Sequence, residues 1–283
     1  MEFHDNRHTR GGHVHLAVKD LQNLKHFYKE VIGLDILSEN EKAVYFTADG
    51  RVPLVILEEK REAGPADSRA AGLYHFALLL PARSDLASVM RHLSEFGYPL
   101  RGASDHQFSE ALYLDDPEGN QIEIYCDRPK EVWDWQDGEL PFVSDPLDAE
   151  GILNEGQNQK WSGLPNQTVL GHIHLFVNDL NSAKDFYCDG LGFDITIPFR
   201  NNALFVSSGG YHHHIGLNTW KGHEAPAPDP GSLGMQWYSI IFAKSEEREA
   251  AISRLQLAGN EVWNEHGMPF TKDPSGNVIK LLV

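Results

Sequence analysis

The sequence predicts an α+β protein of four βαβββ units, grouped as two half-barrel modules over 11–126 and 170–283 with a linker over 127–169. Three observations carry this reading. The segment HVHLAVKDLQNLKHFYKEVIGLD at 13–35 returns at 172–194 as HIHLFVNDLNSAKDFYCDGLGFD, 159 residues on. The segment DPEGNQIEI at 116–124 returns at 273–281 as DPSGNVIKL, 157 residues on. Two repeats in one order at nearly one offset mark a duplicated module. Within each copy, moreover, a two-residue apolar period gives way to a helical one and then returns.

In the first unit His13, His15 and Ala17 alternate with Val14, Leu16 and Val18, the period of a strand. Asp20 then caps a helix whose apolar positions Leu21, Leu24, Phe27, Tyr28 and Val31 share a face and which ends at Gly33. Asp179, Leu180, Ala183, Phe186, Tyr187 and Gly192 repeat this pattern in the third unit. Short strands follow near 43–48 and 53–58, and near 203–207 and 211–218. The second unit runs from YHFALLL through a helix over about Asp85 to Phe96, closed by Gly97, to ALYLDD, the turn DPEGN and QIEIYC. The fourth answers with WYSIIFA, a helix over about Ser245 to Ala258 closed by Gly259, and VIKLLV.

Composition narrows the function. A chain of 283 residues exceeds the usual single domain of about 100 to 200 residues. A net charge of −17 argues against nucleic acid or an anionic membrane, where phosphate attraction dominates binding. Cys126 and Cys188 are too few for a disulfide framework and read as free thiols. No apolar run approaches the roughly 20 residues of a membrane span, and the polar start MEFHDNRHTR lacks a signal-peptide core. The expected protein is soluble and cytoplasmic; a homo-oligomer stays open.

Four βαβββ units with HxHLxVxDL openings and DPxGN turns resemble the vicinal oxygen chelate superfamily, which includes glyoxalase I, fosfomycin- and bleomycin-resistance proteins and type I extradiol dioxygenases. The resemblance covers nearly the whole chain outside the tail and linker. It implies one metal ligand in the first strand of a unit, here His13 or His172, and two from the next unit, a histidine in its first strand and a glutamate in its last. Unit two supplies both, His75 and Glu123. Unit four supplies neither, because Trp237 and Lys280 stand at those positions. Chemistry argues the same way: Glu123 lies between Ile122 and Ile124, and a buried carboxylate is costly unless paired or metal-bound. Two imidazoles and one carboxylate form the facial triad of non-haem Fe(II) oxygenases.

The resemblance also implies a tyrosine ten residues before the glutamate, here Tyr113, and a catalytic histidine in the fourth strand of the unit giving the first ligand. Unit one has none in RVPLVILEE, whereas unit three has YHHHIGLN, where His214 matches by spacing. If units two and three pair, one site collects His75, Glu123, His172, Tyr113 and His214, and the 43-residue linker permits the crossing. Pairing of units one and two, with His13 as third ligand, remains the alternative; inheritance by duplication and strand packing is the plainer account of His13 and His15.

Of the other histidines, His212 and His213 read as supports of the site or a solvated strand end, with His213 pointing opposite to His212 and His214. His106, seven before Tyr113, bonds substrate or simply occupies a loop. His4, His8, His26, His92, His223 and His266 have no matching partners, and Trp133, Trp135 and Trp161 pin the linker.

The resemblance is strongest to two-module bacterial catechol 2,3-dioxygenases. It implies a non-haem Fe(II) enzyme of aromatic hydrocarbon catabolism that inserts both atoms of O2 into a catechol beside the diol, giving a 2-hydroxymuconic-semialdehyde type of product. His214 would be the acid/base group and Tyr113 a hydrogen-bond donor to the bound oxygens; Mn(II) is the alternative metal. Two other classes stay in view. A glyoxalase-type isomerase would want a fourth carboxylate ligand, for which unit one offers only Glu58 and Glu59 and unit three histidines. A drug or small-molecule binder of the same fold would need no metal.

Overall fold

The computed structural model describes residues 2–199 and 202–283. Unit one comprises β1 (Arg10–Val18), α1 (Leu21–His26), β2 (Asp35–Glu39), β3 (Ala43–Thr47) and β4 (Val55–Glu59). Unit two comprises β5 (Gly72–Leu80), α2 (Arg83–Phe96), β6 (Gly102–Asp105), β7 (Ser109–Asp115) and β8 (Gln121–Asp127). The linker carries α3 (Ala149–Glu155). Unit three comprises β9 (Val169–Phe176), α4 (Leu180–Lys184), β10 (Asp194–Phe199), β11 (Ala203–Ser207) and β12 (Ile215–Asn218), and unit four β13 (Gly234–Ile241), α5 (Ser245–Leu257), β14 (Val262–Glu265), β15 (Met268–Lys272) and β16 (Val278–Leu282).

The strands form two eight-stranded sheets, ordered β14-β15-β16-β13-β1-β4-β3-β2 and β10-β11-β12-β9-β5-β8-β7-β6. Units one and four thus share one sheet, and units two and three the other. Each sheet is joined at its centre by antiparallel first strands, β1 with β13 and β5 with β9. Each first strand pairs in parallel with the last strand of its own unit. A continuous apolar core runs between sheets and helices, from Val14 and Phe76 to Tyr187 and Leu281.

The duplicated sequence motifs are explained by two clasps. Asp116, of the DPEGN turn, accepts hydrogen bonds from the Tyr28 hydroxyl at 3.0 Å, from the Glu118 and Asn120 N–H groups at 2.9 Å and from the Asn120 amide at 2.8 Å. Asp273 does the same for Tyr187, Ser275 and Asn277. Each clasp ties a strand turn in one sheet to the opening helix of the other, so the tyrosine and the DPxGN turn recur together. Reaching it changes the helix: α1 and α4 run into π-helical turns over Phe27–Val31 and Asp185–Gly190, where the periodicity predicts unbroken α-helix. The wider turn lets adjacent Phe27 and Tyr28, or Phe186 and Tyr187, both be buried. Asp116→Ala leaves four donors without their acceptor and is expected to cost about 3 kcal/mol. Urea unfolding measures this, and a loss below about 1 kcal/mol would show the clasp to be unimportant.

The linker is pinned largely as its tryptophans predict. Trp133 is buried and stacks on Phe3 at 5.6 Å, and Trp161 stacks on His92 at 3.9 Å, whereas Trp135 is exposed. The linker also spans the gap between the edge strands β10 and β6. The Leu140 N–H donates to the Thr196 carbonyl at 2.8 Å, Asp145 exchanges two backbone hydrogen bonds with Asp105, and Ser144 meets Ser104 at 2.7 Å. This strap makes a near-closed barrel of the second sheet. Cys126 and Cys188 are free thiols, and no described helix is long and apolar enough to cross a membrane.

Candidate metal centre

The register of the second sheet assembles the cluster. Ala77 on β5 pairs with Glu123 on β8 and with His172 on β9, while His75 lies two residues back on the same face. Nε2 of His75 lies 3.0 Å, and Nε2 of His172 3.1 Å, from the same Glu123 oxygen, Oε2. The three ligand atoms lie within 4.8 Å of one another, and all three residues are buried. Among the described residues, Nδ1 of neither imidazole has a hydrogen-bond partner. Burial opposes ionisation of Glu123, but the adjacent His172 and His75 outweigh it and hold the carboxyl well below its usual range. Burial in turn pushes His172 down to about 4, against the pull of Glu123. An ionised carboxylate beside the neutral His172 imidazole, with the His75 ring nitrogen aimed at the same oxygen, is the donor set a divalent cation requires, so the residues present fit a metal.

The cluster opens on a cavity of about 400 Å³ whose walls include Tyr74, Phe108, Phe142, Phe205 and Trp220. Among the described residues lining it, Glu123 is the only carboxylate. Tyr113 and His106 enter from β7 and the loop before it, with the Tyr113 hydroxyl 2.9 Å from His106 Nε2. His106 Nδ1 lies 2.6 Å from the Val143 carbonyl of the strap, which can only accept. Nδ1 therefore carries the proton, Nε2 accepts from Tyr113, and the hydroxyl donates to His106 rather than to the open cavity. Burial keeps Tyr113 well above its usual pKa, in the protonated form.

The structure does not bring His214 to the cluster. Its Nδ1 accepts from the Ser208 N–H at 3.2 Å, its Nε2 faces the Phe3 carbonyl at 3.2 Å, and its ring packs on Tyr211 and His4. His213 lines the cavity instead, with its ring 4.2 Å from that of His172. The reason lies in the backbone: the strand expected from 211 begins only at Ile215, and 211–214 are irregular, so position counted back from the strand does not fix direction. His212 and His213 accordingly touch, Nδ1 to Nδ1 at 2.7 Å, although neighbours in a strand would point apart.

His13 lies in the other sheet, where the equivalent site has been replaced. Ser239 pairs with Lys280 as Ala77 pairs with Glu123, so Trp237, two residues before Ser239, stands where His75 stands in its partner sheet. The His13 N–H donates to the Ser239 hydroxyl at 2.9 Å, and the His13 ring packs edge-on against Trp237 at 5.2 Å. The Lys280 ammonium lies over Trp237 at 5.0 Å and over Phe270 at 5.7 Å, a cation–π arrangement in place of a carboxylate. His15 faces Glu58 at 3.5 Å. Three wall residues, His174, Phe142 and Ser144, are not among the site residues the sequence predicts. His174 packs against His75 at 5.0 Å and accepts from the Asn218 amide at 3.0 Å. Its place two residues after His172 on one strand face was the available signal. The strap residues Phe142 and Ser144 carry no periodicity and left none.

The comparisons with known proteins agree with this architecture. Catechol-2,3-dioxygenase of Bacillus subtilis (strain 168) is 41% identical over 285 residues, covering 99% of each chain. Biphenyl-2,3-diol 1,2-dioxygenase 3 of Rhodococcus globerulus is 29% identical over 135 residues, 46% of this chain and 71% of that protein. In fold, the chain resembles a crystal structure described as a putative dioxygenase from Bacillus subtilis (TM-score 0.68, 13% identity, covering 97% of this chain and 85% of that one). It also resembles glyoxalase I from Zea mays (TM-score 0.59, 16% identity, 96% and 92% covered). The family model of the glyoxalases matches twice, over 10–124 and 169–281, the same two stretches that the internal repeat delimits. With both copies matched and the strands paired as described, the chain belongs to the Glyoxalase/Bleomycin resistance protein/Dioxygenase superfamily.

Proposed function

We propose that this protein is an extradiol ring-cleaving dioxygenase that inserts both atoms of O2 into a catechol beside the diol. The observation that carries the reading is the three-donor cluster of His75, Glu123 and His172, facing an aromatic cavity to which the described residues add no further carboxylate. A metal held by these three donors would keep room for a bidentate diol and for dioxygen, whereas a glyoxalase-type site would want a fourth protein ligand, usually a carboxylate. The 41% identity over full length to a catechol-2,3-dioxygenase supports the same reading. A non-catalytic binder gives no account of a buried carboxylate held between two imidazoles.

Held by these residues, Fe(II) would supply Lewis acidity toward the diol and redox chemistry toward dioxygen, and Mn(II) accepts the same donors. The chain's own residues do the rest. Tyr74, Phe142, Phe205 and Trp220 offer the faces on which an aromatic ring stacks. His213, rather than His214, is the acid/base group, since it lines the cavity and its Nε2, unlike its Nδ1, has no hydrogen-bond partner among the described residues. The Tyr113 oxygen, with its proton directed to His106, presents lone pairs to a diol hydroxyl and fixes its orientation. A net charge of −17 and free thiols fit a cytoplasmic enzyme acting on a small diol and O2.

Catechol added anaerobically to Fe(II)-loaded protein, followed by oxygen, is expected to give a yellow ring-opened product with one O2 consumed per catechol. Metal analysis is expected to find one equivalent per chain, because Trp237 and Lys280 leave the first sheet without a donor set. Isomerisation of the methylglyoxal–glutathione adduct with no oxygen uptake from any catechol would replace this reading with the glyoxalase one.

A further inference from the structure

Behind His213 lies a hydrogen-bonded series that the metal cluster does not need. His213 Nδ1 meets His212 Nδ1 at 2.7 Å, and His212 Nε2 meets Asp127 Oδ1 at 2.9 Å. The Tyr211 hydroxyl donates to the same oxygen at 3.1 Å and shares a 2.7 Å contact with the Tyr125 hydroxyl. His212 is fully buried, stacked between Phe108 at 4.4 Å and Tyr211 at 3.9 Å, so its ring has little freedom to turn. Glu123, Tyr125 and Asp127 alternate along one face of β8, so one strand delivers the metal ligand and the far end of this series to the same side.

We propose that Asp127, acting through His212, is a positioning residue that fixes the tautomers of two imidazoles in series, so that His213 presents an unprotonated Nε2 to the cavity. Burial pushes the Asp127 carboxyl up to about 7, so above that pH its Oδ1, already receiving the Tyr211 proton, is an acceptor, and a bare nitrogen 2.9 Å from it would set two acceptors face to face. The proton of neutral His212 therefore sits on Nε2, and its Nδ1 is a lone pair. At 2.7 Å from that lone pair, His213 must donate from its own Nδ1. Its Nε2 is then the basic nitrogen, on a ring that lines the cavity. The tautomeric assignment stands on geometry; only the task given to His213 rests on the dioxygenase reading.

Long-range ¹H–¹⁵N NMR of the imidazoles, on the full chain with and without Zn(II) as a diamagnetic occupant, reads the tautomers directly. The expected result is protonation of His212 at Nε2 and of His213 at Nδ1, with mixed tautomers in Asp127→Asn. That variant is also expected to lower kcat about 10- to 100-fold while KM and metal content hold, with partial recovery in Asp127→Glu. In a His213→Gln background, Asp127→Asn should have no further effect, because its influence passes through His213. Protonation of His213 at Nε2 in the wild-type chain overturns the proposal, and so does an equal loss of kcat from Asp127→Asn in both backgrounds. If no catechol is turned over yet the wild-type tautomers are as stated, the series stands and the dioxygenase reading falls.

Discussion

Glu123→Gln is expected to abolish metal retention and ring cleavage together. The substitution keeps volume and shape, so the sheet register around Ala77 is undisturbed, but it removes the one carboxylate among the described residues that line the cavity. Neutral donors alone cannot balance a divalent charge in a buried site, where each uncompensated charge costs several kcal/mol. The loss of affinity should therefore exceed the roughly 10- to 100-fold typical of removing a partner that only supports a ligand. Metal analysis after dialysis, with a thermal melt to confirm folding, measures this. Full metal retention in a folded Glu123→Gln chain would mean that the carboxylate is held by the imidazoles for structural reasons and that the metal, if any, sits elsewhere.

That expectation could be formed from sequence because Glu123 and Lys280 occupy matched positions in a duplication, and the structure places them at matched register points. Periodicity and repeats report strand order within a unit well, since alternate burial repeats every second residue. They also located the clasp residues Tyr28 and Asp116 as repeated motifs without revealing that the two touch. Pairing between units was reached from which ligands survive where, not from periodicity, since the first strands of all four units look alike. What stayed illegible depends on irregular backbone. The strap over 139–145 closes the barrel by backbone hydrogen bonds that any sequence could make, and its cavity residues Phe142 and Ser144 follow no period. The three consecutive histidines lie before β12 rather than within it, so counting along the chain points to His214, whereas His213 is the member that lines the cavity.

The separation of His213 from His214 gives the second large effect. His213→Ala is expected to keep the metal, since its nearest polar contact is His212 and none of the three ligand atoms bonds to it. Turnover should nevertheless fall by roughly 10² to 10⁴, the usual contribution of a positioned acid/base group. His214→Gln, by contrast, removes a ring that bridges Ser208 and Phe3 on the side of the segment away from the cavity. Its glutamine can still accept from one backbone N–H and donate to one carbonyl, so the expected change is a lower melting temperature with kcat near that of the unaltered chain. Measuring both variants for metal content, melting temperature and kcat separates three cases. Loss of turnover confined to His213→Ala is the result the geometry requires. Loss confined to His214→Gln would restore the assignment made by spacing and mean that the segment 211–214 turns over when the site is filled. Release of metal by His213→Ala would instead make that residue a ligand, and the open positions needed for diol and dioxygen together would no longer be available.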